Sequence, residues 1–298
     1  MNIQDQIQAK TTTIEYSKMN DYSLLIKTKL SLTVVITSLL GYLIVAKGSF
    51  NLTTLTLLFF GGFLTTASAN AINEVLEKDF DALMNRTLSR PLAAGRMKIS
   101  EAVLFAGIAC LFGISFLAMI NPLSAILGMI SFIVYSFVYT PLKRYSTIAV
   151  AIGAIPGALP VLIGCTAFEG QFSILSIGLF LIQFIWQFPH FWSIGFLGFD
   201  DYKKAGYKLL PIEENGSIAR NLGINCVFYT LLIFPILGII YFYYDSSNVA
   251  FLGGLLMTML YTYFGYEFSK KFDRSSAMKL MFCSFFYMPI ILLFYLMF

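Results

Sequence analysis

The chain has 298 residues, of which 58% are hydrophobic and only 12% charged, with a mean hydropathy of +0.76. An ordinary soluble domain carries about 25% charged residues, so this composition excludes a soluble globule and a disordered chain and points to lipid as the solvent. The net charge of +4 is too small to indicate nucleic-acid binding, and none is expected.

Residues 1–22 are polar and contain no apolar run of the kind a cleavable signal peptide needs. They are expected to form a short cytoplasmic segment ahead of a single membrane domain over 23–298. A helix needs about 20 apolar residues to cross the hydrocarbon. Nine stretches qualify, at roughly 24–46, 52–72, 101–119, 122–140, 147–167, 173–197, 221–243, 248–268 and 277–297. They are long runs rich in Leu, Ile and Phe rather than alternating patterns, which excludes a β-barrel. The predicted fold is an all-α integral membrane protein of nine spans, read as two four-helix halves plus a ninth helix.

The basic residues set the topology. With the N-terminus in the cytoplasm, Lys78, Arg86, Arg90, Arg96 and Lys98 fall in the second loop, and Lys143 and Arg144 in the fourth. Lys203, Lys204, Lys208 and Arg220 fall in the sixth, and Lys270, Lys271 and Arg274 in the eighth. The opposite loops hold Lys47 alone, and they are short, whereas two inner loops, about 74–100 and 198–220, are long. The C-terminus is thereby placed on the far side. Cys110, Cys165, Cys226 and Cys283 all lie in apolar runs without metal-ligand spacing and read as small core residues.

The second span runs into Asn70, Asn73, Glu74, Glu77, Lys78, Asp79 and Asp81. Asn73, Glu77 and Asp81 recur at i, i+4, i+8 and share one helical face, with Asn70 and Glu74 beside them. Stacked like charges repel, more strongly near lipid. A divalent cation would compensate them, and oxygen ligands of this kind suit Mg²⁺. The alternative is a solvated helix extension whose acids pair with Lys78, Arg86 or Arg90.

A second acidic pair, Asp200–Asp201, follows the sixth span, in which Pro189 predicts a kink and His190 is an intramembrane histidine. If that helix continues, His190, Ile194, Leu197 and Asp201 share a face. Asp81 and Asp201 each close an even-numbered span, so two carboxylate sites facing each other suit two Mg²⁺ ions on one diphosphate. Arg86, Arg90, Lys143 and Arg144 are the basic candidates for the same clamp. Each of them is also explained by topology alone. Tyr139-Thr140-Pro141-Leu142-Lys143-Arg144 forms a polar corner before a span carrying Gly153, Pro156, Gly157, Pro160 and Gly164.

These motifs resemble the UbiA superfamily of intramembrane prenyltransferases, and within it the heme O branch. Asn73-x-x-x-Glu77-x-x-x-Asp81 is similar to the superfamily's first aspartate motif. Asn85-Arg86-Thr87 with Arg90-Pro91-Leu92, the Tyr139–Arg144 corner and Gly157-Ala158-Leu159-Pro160 resemble the heme O branch. So do Trp186-Gln187-Phe188-Pro189-His190-Phe191-Trp192, Asp201-Tyr202-x-x-Ala205-Gly206 and Leu209-Leu210-Pro211. The pieces occur in family order from about residue 23 to 215. Glu77 stands where the superfamily usually has aspartate, Lys27-Thr28-Lys29 where the branch often has Lys-Pro-Arg, and Ala149 where many members have asparagine.

The resemblance implies farnesyl transfer from farnesyl diphosphate to the 2-vinyl group of heme B, giving heme O. Asn73, Glu77, Asp81 and Asp201 would be the catalytic, Mg²⁺-binding residues. Arg86, Arg90, Tyr139, Lys143, Arg144, His190 and Lys204 would contact substrate, His190 at the heme. A cell inner membrane, the lipid bilayer, and heme A synthase or terminal oxidase as pathway partners are implied in the same way. The competing readings are a relative prenylating an aromatic quinone precursor, a two-repeat secondary transporter and a structural subunit. Acids gathered at the cytoplasmic helix ends, rather than at the midplane, favour diphosphate chemistry over transport.

Overall fold

The computed structural model describes residues 17–244 and 246–298; residues 1–16 of the polar N-terminal segment, and Asp245, lie outside them. The helices in chain order are α1 (Lys18–Leu25), α2 (Thr28–Ala46), α3 (Leu52–Asp81), α4 (Ile99–Ile120), α5 (Pro122–Leu142), α6 (Ala149–Glu169), α7 (Ile174–Leu197), α8 (Phe199–Lys204), α9 (Asn221–Tyr244), α10 (Asn248–Lys271) and α11 (Arg274–Met297). All but α1 and α8 are long and apolar enough to cross a membrane, and these nine coincide with the nine expected spans. The described residues contain no strand, only an isolated bridge between Ile212 and Ile218.

Short connections work because turn residues double as caps. The side chains of Asn51, Asn121, Ser173 and Ser247 each accept from a backbone N–H in the first turn of the following helix. Asp273 does the same for α11 with Ser276 reciprocating. Each satisfies an otherwise orphaned donor, worth about 1 kcal/mol.

The helices close into one bundle. α2 packs on α6, α3 on α4, α6 on α7 and α10 on α11, while α11 also touches α7 and α2. Close approach is built into α6: a side chain at Gly164 would overlap the Ser38 carbonyl of α2, and one at Gly157 would overlap the Gln187 amide of α7. Gln183 and Gln187 donate to the carbonyls of Gly157 and Ala154, both at 3.0 Å, locking α7 to α6. Pro160 has no N–H for the Pro156 carbonyl, which instead accepts from Ser131 of α5 at 3.5 Å. α7 continues through Pro189 without interruption.

Two features position the site. In α5, residues Val134–Tyr139 form a π-helical turn just before Pro141. The chain also bends between α1 and α2, where Lys27 takes the left-handed conformation at φ 49°. On the face holding the long loops, Met84, Ala205 and Tyr207 bury one another with Phe80, Tyr202 and Leu209, so the loop after α3 and the loop after α7 cover each other.

Candidate active site

The polar stripe on α3 points into the bundle. Asn70, Asn73, Glu74, Glu77 and Asp81 are all buried, whereas Asp79, between them in sequence, faces out. This is the consequence of 3.6-residue periodicity in a helix that continues past its apolar span. Three oxygens of the stripe have a dedicated cation. Lys27 Nζ donates to Asn73 Oδ1 at 2.7 Å, Lys143 pairs with Glu77, and Arg90 pairs with Asp81 at 2.6 Å. Arg90 also lies 3.7 Å from Glu74. Asn73 Nδ2 donates to Glu77 Oε2 at 2.9 Å and to Thr140 Oγ1 at 3.1 Å, which ties α3 to the corner of α5.

The electrostatics follow from burial. Lys27, shut in beside Arg90 and Lys143, has its ammonium pulled down to about 7, against the attraction of Glu74 and Glu77. Burial opposes the charge on Arg90 too, but Asp81 and Glu74 outweigh it and hold the guanidinium above its ordinary value. The Tyr207 hydroxyl is pushed up by burial and by the Glu77 and Asp81 carboxylates, so it stays protonated beside Glu77.

These groups surround an open cavity of about 920 Å³, its mouth included, between α3, α5, α7 and the two long loops. Of the residues expected at the site, Asn73, Glu77, Asp81, Arg86, Arg90, Tyr139 and Lys143 line it. Asp201, Arg144, Lys204 and His190 do not. Asp201 sits at the rim, accepting from Asn85 Nδ2 at 3.4 Å with Lys204 Nζ 3.9 Å away. Arg144 lies over the Phe80 ring at 3.8 Å and donates to the Leu76 carbonyl at 2.8 Å, bracing the end of α3. On α7 the cavity takes Phe191, Ile194 and Gly195, so His190 is on the neighbouring stripe and turns to α11.

Sequence reasoning gave no site role to Lys27, Tyr135, Tyr202 or Tyr207, all of which line the cavity. A charge at 27 between Leu24-Leu25-Ile26 and Leu30 was the available signal for the first. The π turn of α5 brings Tyr135 and Tyr139 together, 5.5 Å between ring centroids. Arg86 donates to the Tyr202 hydroxyl at 3.0 Å across the two loops.

Carboxylate oxygens without a hydrogen-bond donor mark the stripe: both of Glu74 and Oδ1 of Asp81 are sealed from solvent in this way. Buried carboxylate oxygens without a partner are the donor type of a hard divalent cation and fit Mg²⁺. Among the described residues no three acidic, His or Cys side chains converge on one point. A Mg²⁺ ion on this stripe would need the remainder of its shell from water or phosphate, its usual habit.

The geometry defines a polar, cation-rich pocket at one end of a nine-helix membrane bundle, and the sequence profile of the UbiA prenyltransferase family matches residues 34–288. The chain belongs to this family and is a multi-pass membrane prenyltransferase. It is 38% identical to the protoheme IX farnesyltransferase of Christiangramia forsetii, over 94% of each chain. It is 40% identical to that of Cytophaga hutchinsonii, over 92% of this chain and 96% of the relative. The human mitochondrial protoheme IX farnesyltransferase is 34% identical over 90% of this chain and 59% of its own length. The fold matches a digeranylgeranylglyceryl phosphate synthase with a TM-score of 0.80 at 24% identity, covering 94% of this chain and 97% of that one. It also matches a UbiA homolog from Archaeoglobus fulgidus bound to DMAPP and Mg²⁺, with a TM-score of 0.70 at 15% identity, covering 93% and 100%.

Proposed function

We propose that the chain transfers a farnesyl group from farnesyl diphosphate to the 2-vinyl group of heme B, giving heme O. The observation that carries this reading is the identity of 38–40% to protoheme IX farnesyltransferases over almost the whole chain, together with a cavity lined by the motif residues themselves. The allylic C1–O bond breaks with its electron pair on the leaving diphosphate, the vinyl carbon attacks C1, and water adds to the resulting cation and releases a proton to solvent, completing the hydroxyethylfarnesyl side chain.

Asn73, Glu77 and Asp81 would hold one Mg²⁺, with Asp201 serving a second from the rim; when bound, the metal neutralises charge on the leaving diphosphate. Arg86, Arg90 and Lys143 converge on the same pocket and supply fixed positive charge where that anion develops, with Lys27, which an incoming anion would favour in its protonated form, beside them. Arg144 and Lys204 act from the rim. The rings of Tyr135, Tyr139 and Tyr207 present π-faces to the allylic cation, and the interlocked loops over them keep water out. The long loops and N-terminus face the cytoplasm, the membrane is the cell inner membrane, and the enzymes that use heme O, heme A synthase or a terminal oxidase, are the downstream partners.

The test is acceptor choice. Membranes containing the chain are supplied with farnesyl diphosphate, Mg²⁺ and either heme B or 4-hydroxybenzoate. Farnesylated heme is the expected product; prenylation of the benzoate alone would replace this reading with the quinone-precursor one.

A further inference from the structure

His190 stands outside the diphosphate cavity, and its surroundings are themselves ordered. Its Nδ1 lies 2.7 Å from Ser284 Oγ on α11. That hydroxyl also lies 2.5 Å from the Met281 carbonyl oxygen. Two oxygens that close must share a proton, and only the serine has one. The serine therefore donates to Met281 and accepts from His190, so the imidazole proton is on Nδ1 and Nε2 carries a lone pair. The Ser284 carbonyl takes a second hydrogen bond from Trp186 Nε1 at 3.0 Å. One residue of α11 thus fixes both polar groups of the Trp186–His190 pair on α7.

Nε2 has no hydrogen-bond partner among the described residues, and His190 keeps 8% of its surface accessible. The walls around it are flat and apolar. Trp186 stacks on the imidazole at 4.8 Å and 17°, and Phe285 meets it edge-on at 5.2 Å. Phe285 and its neighbours Phe282 and Phe286 are exposed on the outside of the bundle, so His190 lies one ring in from the lipid-facing surface.

We infer that His190 offers Nε2 as an axial nitrogen to the iron of the porphyrin acceptor, with Ser284 as the positioning residue that fixes the tautomer. This rests on heme being the acceptor. It also separates two modes of contact. A propionate needs a donor, which this tautomer withholds at Nε2, whereas iron needs the lone pair. A ligating histidine whose other N–H is held by a hydrogen bond is the usual arrangement in metal sites, and removing that partner typically costs about 10–100-fold in metal affinity.

The test uses the full chain in lipid nanodiscs titrated with ferric heme and, separately, with metal-free protoporphyrin. A nitrogen-ligated heme absorption signature is expected, lost in His190→Gly and restored by added imidazole. Ser284→Ala should weaken heme binding at least about tenfold and leave metal-free porphyrin binding unchanged, while Ser284→Thr keeps the hydroxyl and the affinity. Metal-free porphyrin binding as tightly as heme, a signature that survives His190→Gly, or equal weakening of both porphyrins by Ser284→Ala would overturn the proposal. Farnesylated heme is measured alongside with the wild-type chain. Its absence with an intact, His190-dependent signature supports the ligand site and removes the reaction. Its presence with no dependence of binding on iron does the reverse.

Discussion

Replacing Lys143 by methionine removes one charge and keeps the length of the side chain. In the wild type the ammonium faces the Glu77 carboxylate and lies 4.8 Å and 5.4 Å from the ring centroids of Tyr139 and Tyr207. The side chains of the pair are only 10% and 4% exposed, so water does not replace the lost partner. Two charges about 4 Å apart attract by about 4 kcal/mol at an effective dielectric of 20, and breaking a buried pair from one side costs about 3–5 kcal/mol. Glu77 would retain the Asn73 amide, 2.9 Å from Oε2, which reduces the loss. Lys143→Met should therefore destabilise the metal-free protein by about 2–4 kcal/mol. The assay is reversible unfolding in mixed micelles without divalent cations, run as a double-mutant cycle with Glu77→Gln. Removing both charges should recover most of the loss, giving a coupling of about 1.5 kcal/mol or more. A single-mutant cost below about 0.5 kcal/mol with no coupling would refute the reasoning, because it would mean the two charges are already solvated.

Other expectations are independent of that pair. Asp81→Asn keeps the shape but removes a carboxylate that has one oxygen on Arg90 and the other without a donor; farnesyl transfer and Mg²⁺ binding by calorimetry should both collapse, and near wild-type values of either would remove Asp81 from the metal site. Gly164→Leu drives a side chain into the Ser38 carbonyl and should separate α2 from α6, costing about 1–3 kcal/mol or more in unfolding measurements; an unchanged midpoint would show that the helices are not in contact there. Asp273→Ala removes the cap of α11 and should cost about 1 kcal/mol, with no change in the dependence of rate on substrate concentration.

The spans were legible because lipid demands long apolar runs, and their order and number survive in the structure with only the ends adjusted. The α3 stripe was legible for the same kind of reason: one periodicity governs Asn73, Glu77 and Asp81 whether or not the helix is in lipid. What sits opposite the stripe was not. Lys27 reaches Asn73 only because the backbone turns left-handed between two helices, and no local residue preference announces that bend. Tyr135 and Tyr139 are four apart, as on any helix, but the π turn that aims them interrupts the regular 3.6-residue periodicity that sequence reading assumes. Asp201 and Asp81 form a plausible pair in sequence, each closing an even-numbered span; in space Asp201 stands at the rim and contacts Asn85. The orientation of His190 also depends on tertiary structure, since the stripe of α7 facing the cavity is Phe191, Ile194 and Gly195.

The most direct measurement is mass spectrometry of heme extracted from cells that make heme B and express this chain, beside cells expressing Asp81→Asn at the same membrane level. Heme carrying one hydroxyethylfarnesyl group in place of the 2-vinyl, present with the wild-type chain and absent with the variant, is the predicted result. Unmodified heme B alone from cells with abundant, folded wild-type protein and available farnesyl diphosphate would contradict the account.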